Sequence, residues 1–202
     1  MNKSQIDRYF KVLAKLYPKE CRIILTGAVA GVLYGRIRPT MDIDFSVRTG
    51  QWDDFSKVVE EARLRTGIVA QYAEDIDRWS AITLMDYEKH TYLYRRFGSI
   101  EIRLMEPPYW AIGKLSRYLD TDIQDLVKVF KKTNTHWRDV SSVAGEALRK
   151  SPKSTACSQF RRQVEDFLKN QGRKVWKQRF TFEEAIILFH KHAGIRQTIA
   201  KI

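Results

Sequence analysis

Hydrophobic positions recur along this chain in two rhythms, first alternating with each other and later helical throughout. Ile6, Tyr9, Leu13 and Leu16 fall at helical spacing, so residues 4–17 read as an amphipathic helix that Pro18 stops. Arg22–Leu25 is a short β-branched strand closed by Thr26-Gly27, and Ala28–Tyr34 reads as a short buried helix. Gly27, Gly31 and Gly35 sit four apart, which suits a helix packed closely on a sheet. Next, Ile43, Phe45 and Val47 alternate with Asp42, Asp44 and Ser46, the pattern of a strand with one apolar and one acidic face. Residues 52–65 form a helix with Phe55, Val58, Val59 and Ala62 inward. Residues 80–86 and 90–105 give two or three more strands, the last being Ser99–Met105 after a turn at Gly98.

Pro107-Pro108 ends the sheet region, and everything beyond it is helical in pattern. Trp110–Leu119 and Thr121–Lys131 form a pair, followed by helices over 138–150, 157–170 and 181–193. Thr181 and Glu184 have capping-box spacing ahead of the last one, and SPKST at 151–155 is the clearest break. No repeat of fixed period occurs. The order predicts an α/β core over 1–108, with a mixed sheet flanked by helices, and an all-helical C-terminal region over 109–202.

Composition narrows the setting. The chain has 202 residues, 44% hydrophobic and 12% aromatic, enough for a packed core and against wholesale disorder. It has no apolar run of the roughly 18 residues that a membrane-spanning helix needs, and its charged first residues do not read as a secretory signal. Cys21 and Cys157 make neither a disulfide framework nor a metal pair, so both are expected to be packing residues in a cytoplasmic protein without a membrane partner. The net charge of +12 is lopsided: 19 cations face 18 acids up to residue 125, but 17 face 6 thereafter. A basic segment of that kind attracts a polyanion, nucleic acid being the commonest in cytoplasm.

The acidic strand carries the chemistry. Asp42 and Asp44, two apart on a strand, lie about 6.6 Å from each other on one face. Their mutual repulsion is relieved by a divalent cation, and magnesium (or manganese) suits one or two carboxylates plus substrate phosphates. Glu101, in the alternating run Ile100-Glu101-Ile102-Arg103-Leu104, would join them if its strand neighbours theirs. Three carboxylates can hold two ions roughly 3.5–4 Å apart, one at the attacking oxygen and one at the leaving phosphate. Just upstream, Thr26 and Gly27 offer a hydroxyl and an unobstructed N–H at a helix start, a place where phosphate binds.

These residues resemble a family. Thr26-Gly27-Ala28, followed by Arg38-Pro39-Thr40-Met41-Asp42-Ile43-Asp44-Phe45, looks like the nucleotidyltransferase signature of the DNA polymerase β-like superfamily, in its small bacterial branch. Lys114-Leu115-Ser116-Arg117 and Asp122-Ile123-Gln124-Asp125 resemble that branch's helix pair after the sheet, and the likeness spans about residues 20–130. It implies a nucleotidyltransferase-type sheet, with Asp42, Asp44 and Glu101 as catalytic and magnesium-binding acids. It further implies Thr26, Gly27 and Ala28 against a triphosphate, Lys114 neutralising phosphate, Asp122 and Asp125 orienting the Lys/Arg helix or the base, and Arg38 and Thr40 supporting the loop before the acidic strand. Many members of the branch are toxin-like, which implies a toxin or antitoxin partner. The chain departs from the pattern in having Ala28 where the family has a second Gly or Ser, and Glu101 where it has Asp.

The expected chemistry is transfer of a nucleotidyl group from a nucleoside triphosphate, ATP-like in class, to an acceptor hydroxyl. Positioning and charge neutralisation would do most of the work, with Glu101 within reach of the acceptor proton. The basic tail favours RNA, tRNA being the specific expectation. Arg161, Arg162, Lys169, Arg173, Lys174, Lys177 and Arg179 cluster in sequence around Trp176 and Phe180, as phosphate contacts do around stacking rings. The same helix reads equally as an ordinary amphipathic one, with Phe160, Val164, Phe167 and Leu168 inward. The competing function is a non-catalytic protein of the same fold that binds nucleic acid or a partner protein.

Overall fold

The computed structural model describes residues 1–35, 39–72, 78–79, 82–84 and 86–195. It divides into two compact units, Met1–Ile76 with Tyr87–Glu106, and Asp77–Asp86 with Pro107–Ile202.

The first unit is built on a sheet of five described strands: β1 (Cys21–Leu25), β2 (Asp42–Arg48), β3 (Val69–Tyr72), β6 (Thr91–Phe97) and β7 (Ile100–Met105), in the order β3-β2-β1-β7-β6. The sheet is mixed: β1 runs antiparallel to β2 but parallel to β7, and β2 runs parallel to β3. Strand alternation decides its two faces. Ile23, Leu25, Ile43, Phe45, Ile100, Ile102 and Leu104 are buried together on one of them. Phe45 meets Phe55 of α3 (Trp52–Thr66) edge-on, and Phe97 stacks on Phe10 of α1 (Lys3–Leu16), which ties both helices to the apolar face. Asn2 and Gln5 cap α1 reciprocally, each side chain bonding the other's backbone N–H. The other face carries Asp42, Asp44 and Ser46. Helix α2 (Gly27–Tyr34) follows β1 and reaches β7 through Tyr34 Oη, which donates to Met105 O at 2.6 Å.

Among the described residues, the second unit contains the antiparallel pair β4 (Arg78–Trp79) and β5 (Ile82–Thr83) with five helices. These are α4 (Pro107–Arg117), α5 (Asp120–Thr133), α6 (Trp137–Lys150), α7 (Thr155–Trp176) and α8 (Phe182–Ala193). Pro107 and Pro108 do not merely end the sheet region. They open α4, where a missing N–H costs nothing. Helix α7 runs six residues beyond the expected 170, through Gly172. A Cβ there would lie 2.2 Å from the Phe180 ring, so this glycine is a notch for an aromatic ring rather than a helix stop. The expected capping box at Thr181 is not formed, since its side chain makes no cap bond. Among the described residues no helix is long and apolar enough to cross a membrane.

Candidate functional site

The antiparallel pairing of β1 with β2 brings the start of β2 to the end of β1, where α2 begins. Thr26, one residue past β1, extends the ladder by donating its N–H to Asp44 O at 3.1 Å. Gly27 then turns into the helix with φ +58, a conformation that L side chains rarely adopt. A Cβ on Gly27 would stand 2.1 Å from Asp44 Oδ2, so the Asp44 carboxylate lies directly against the glycine backbone. Only glycine permits both the turn and this approach. Asp42 and Asp44 are half-buried on one face of β2, and Thr40 Oγ1 donates to Asp42 Oδ1 at 3.0 Å. Thr40 is itself buried. Thr26 is 1% exposed, and its hydroxyl makes no cap bond and finds no partner among the described residues. A buried hydroxyl without a partner costs roughly 1–3 kcal/mol, a cost that a ligand oxygen would remove.

Two hard carboxylates on a rigid strand, a glycine cradle and an orphaned hydroxyl fit one magnesium ion that takes its remaining ligands from phosphate and water. They do not fit two ions, because the expected third acid is elsewhere. Glu101 pairs in register with Arg22, and Arg22 with Arg48, four residues along β2 from Asp44. That separation is about 13 Å along the strands. The physical reason is strand direction. β7 is parallel to β1, so its second residue sits beside the start of β1, whereas β2 brings its acids to the end of β1. Glu101 shares the sheet face of the aspartates but lies at the opposite end of it. Arg103 binds it at 2.9 Å, Arg96 at 2.8 Å and Arg22 at 3.4 Å. The bond from Arg103, helped by the charges of Arg22 and Arg96, holds the Glu101 carboxyl below its ordinary value. Among the described residues, no group of three or more His, Cys, Asp or Glu side chains gathers as a metal cluster.

In the second unit, Lys114 is 2% exposed, and its ammonium donates to Asp122 at 2.8 Å and to Asp125 at 2.9 Å. Arg117 adds a bond to Asp122 at 2.7 Å. Burial opposes ionisation of Asp122, but the bonds from Arg117 and Lys114 outweigh it and leave that carboxyl below its ordinary value. Lys114, expected to neutralise a phosphate, is thus paired with two buried carboxylates. Asp122 and Asp125 hold Lys114 and Arg117 across the α4–α5 turn. Arg38 lies outside the described residues.

The basic cluster of the sequence separates into distinct groups. Arg161 is tied to Glu165, which also binds His190. Arg162, Lys169 and Arg173 follow an i, i+7, i+11 stripe on the exposed side of α7, and Lys174 falls on another side of the helix. Lys177 and Arg179 lie beyond the helix end and line a cavity with Lys131, a residue that sequence reasoning missed. Only the spatial return of α5 to the end of α7 reveals it. His192 pairs with Glu146. Cys21 and Cys157 are buried, and burial pushes the Cys21 thiol up to about 12.

Compared with family models, curated proteins and solved structures, the chain matches none of them.

Proposed function

We propose that the chain is a magnesium-dependent nucleotidyltransferase that moves a nucleotidyl group from a nucleoside triphosphate to an acceptor hydroxyl, with RNA as the acceptor class. The observation that carries this reading is the Asp42–Asp44 pair set against the Gly27 cradle, beside a buried Thr26 hydroxyl that lacks a partner. In this reading Asp42 and Asp44 hold the ion, and Thr40 fixes the Asp42 carboxylate through its hydrogen bond. The ion, when bound, supplies charge neutralisation at the phosphates. Thr26 donates its hydroxyl to a phosphate oxygen, and the N–H groups at the start of α2 face the same anion. What these residues contribute is orientation and preorganised charge. Glu101 has no part in it.

A second reading is favoured by the position of Glu101 among three arginines: the fold binds a magnesium–triphosphate complex without transferring it. One experiment separates the two. The full chain is incubated with α-labelled triphosphates, magnesium and cellular RNA, and equilibrium binding of each magnesium–triphosphate is measured alongside. Transfer that disappears in Asp42→Ala/Asp44→Ala, with the fold intact, supports the enzyme. Binding without transferred label supports the second reading. Absence of both overturns the site.

A further inference from the structure

The second unit holds a cavity of about 810 Å³ where the α5–α6 junction meets the end of α7. Lys131, Asn134 and His136 line one side, and Trp176, Lys177 and Arg179 the other. No carboxylate among the described residues lines it. The three cations are exposed and make no ion pair among the described residues, so their charge is available to an anion. His136 accepts the Arg138 N–H on Nδ1, which leaves its proton on Nε2 as a further donor. The wall is rigid and aromatic. Trp176 stacks with Phe130 and Phe180, its indole N–H bonds Thr135 O at 2.7 Å, and the Trp137 indole N–H bonds Arg179 O at 2.9 Å.

Lys177 stands out in its backbone. Its φ of 55 and ψ of −132 lie outside the left-handed well that Asn134 occupies nearby with φ 52 and ψ 32. A non-glycine residue there stores strain, and strain of this sort concentrates at ligand clamps. The two indole bonds flank Lys177 and hold the strained turn. Its cation is thereby presented beside Arg179. Cations also continue along α7, where Arg162, Lys169 and Arg173 end one turn before Trp176 and make no ion pair among the described residues; Asp166, whose carboxylate accepts from Tyr118 and Asn170, interrupts their stripe.

We propose that this cavity binds single-stranded nucleic acid, taking a phosphate on Lys131, Lys177 and Arg179 and a base on the exposed His136 ring beside the edge of Trp176, whose stacking with Phe130 and Phe180 fixes the wall, with neighbouring phosphates along α7. Cations around an aromatic wall suit a strand whose bases are unpaired. A lone phosphate would use the cations but leave the rings and the α7 stripe idle. The inference is independent of the Asp42–Asp44 pair.

The test is fluorescence anisotropy with the full chain and a labelled single strand of about 12 nucleotides, in ribo and deoxyribo forms, across about 50–300 mM salt. Binding of either form should weaken with salt, and the tighter one identifies the sugar. Lys131→Glu/Lys177→Glu/Arg179→Glu should lower affinity at least about tenfold and flatten the salt dependence by about two units of log slope. Lys177→Gly removes one charge while giving the turn a residue that fits it. It should fold at least as stably and bind roughly threefold more weakly, which keeps the test decisive if the triple variant misfolds. Asp42→Ala/Asp44→Ala should bind as the parent does, which separates this site from the carboxylate pair. The proposal is overturned if the parent fails to bind at low salt, if the cavity variants bind unchanged, or if a duplex of equal length binds as tightly.

Discussion

Gly27→Ala puts the candidate site under direct load. Two costs can be worked from the geometry. The backbone stands at φ +58, where a Cβ costs about 1–2 kcal/mol. The new Cβ would also fall 2.1 Å from Asp44 Oδ2 and 3.0 Å from Asp44 Cγ, so the carboxylate must swing aside. The obstacle is the far end of a side chain and can yield. Forcing it off its rotamer adds about 0.5–1.5 kcal/mol. The expected destabilisation is therefore about 1.5–3.5 kcal/mol by urea unfolding. In an Asp44→Ala background the carboxylate part should vanish, leaving the backbone cost and a tight 3.2 Å contact to the retained Cβ of residue 44, a coupling of up to about 0.5–1.5 kcal/mol in the double-mutant cycle. Because the carboxylate moves, magnesium-dependent label transfer should fall along with stability. A Gly27→Ala chain within about 0.5 kcal/mol of the parent, or one with equal cost in both backgrounds, would refute the close approach on which the site rests.

Lys114→Met leaves the Asp122 and Asp125 carboxylates buried without their shared cation. It should cost about 3–5 kcal/mol in chemical denaturation, part of it recovered by adding Asp122→Asn. A loss under about 1 kcal/mol would mean that the ion pairs contribute little. Acid should weaken the fold in a defined window. Glu101 and Asp122 both titrate below their ordinary values in the folded chain, so their contribution is complete above about pH 4–5 and is lost as pH falls through the lower folded values. Arg103→Leu should flatten that acid slope, as read by thermal unfolding from about pH 5 to 2. Superimposable curves for the two chains would contradict the bond to Glu101.

What could be read from sequence was whatever depends on local period. Ile43, Phe45 and Val47 alternate because they line a buried face, and all three are buried. Ile6, Tyr9 and Leu13 likewise line the inner side of α1. Edge elements escaped for the opposite reason. The residues of β3 alternate between exposed and half-buried, and β4 is two residues long, too short to show any period, whereas β5 falls inside the expected strand over 80–86. The site divides along the same line. The Asp42–Asp44 pair and the Gly27 turn are local, and their residues were legible. The place of Glu101 depends on whether β7 runs with β1 or against it, a long-range fact that no window of residues contains. The basic cluster misled in a similar way: proximity along the chain does not survive a helix, which turns Lys174 away from Arg173 and leaves Lys177 beyond the helix end.

The segment Asp77–Asp86 belongs to the helical unit although it is spelled between two stretches of the sheet unit. The polypeptide therefore passes from one unit to the other three times. Ile82 and Leu84, at 1% and 2% exposure, are part of a core completed more than twenty residues later. During synthesis this strand pair must wait for helices not yet made, with its apolar side chains uncovered. A chain cut after Glu106 would carry the same orphan permanently. Isolating the sheet unit thus requires splicing Asp77–Asp86 out for a short polar connector as well as shortening the C-terminus.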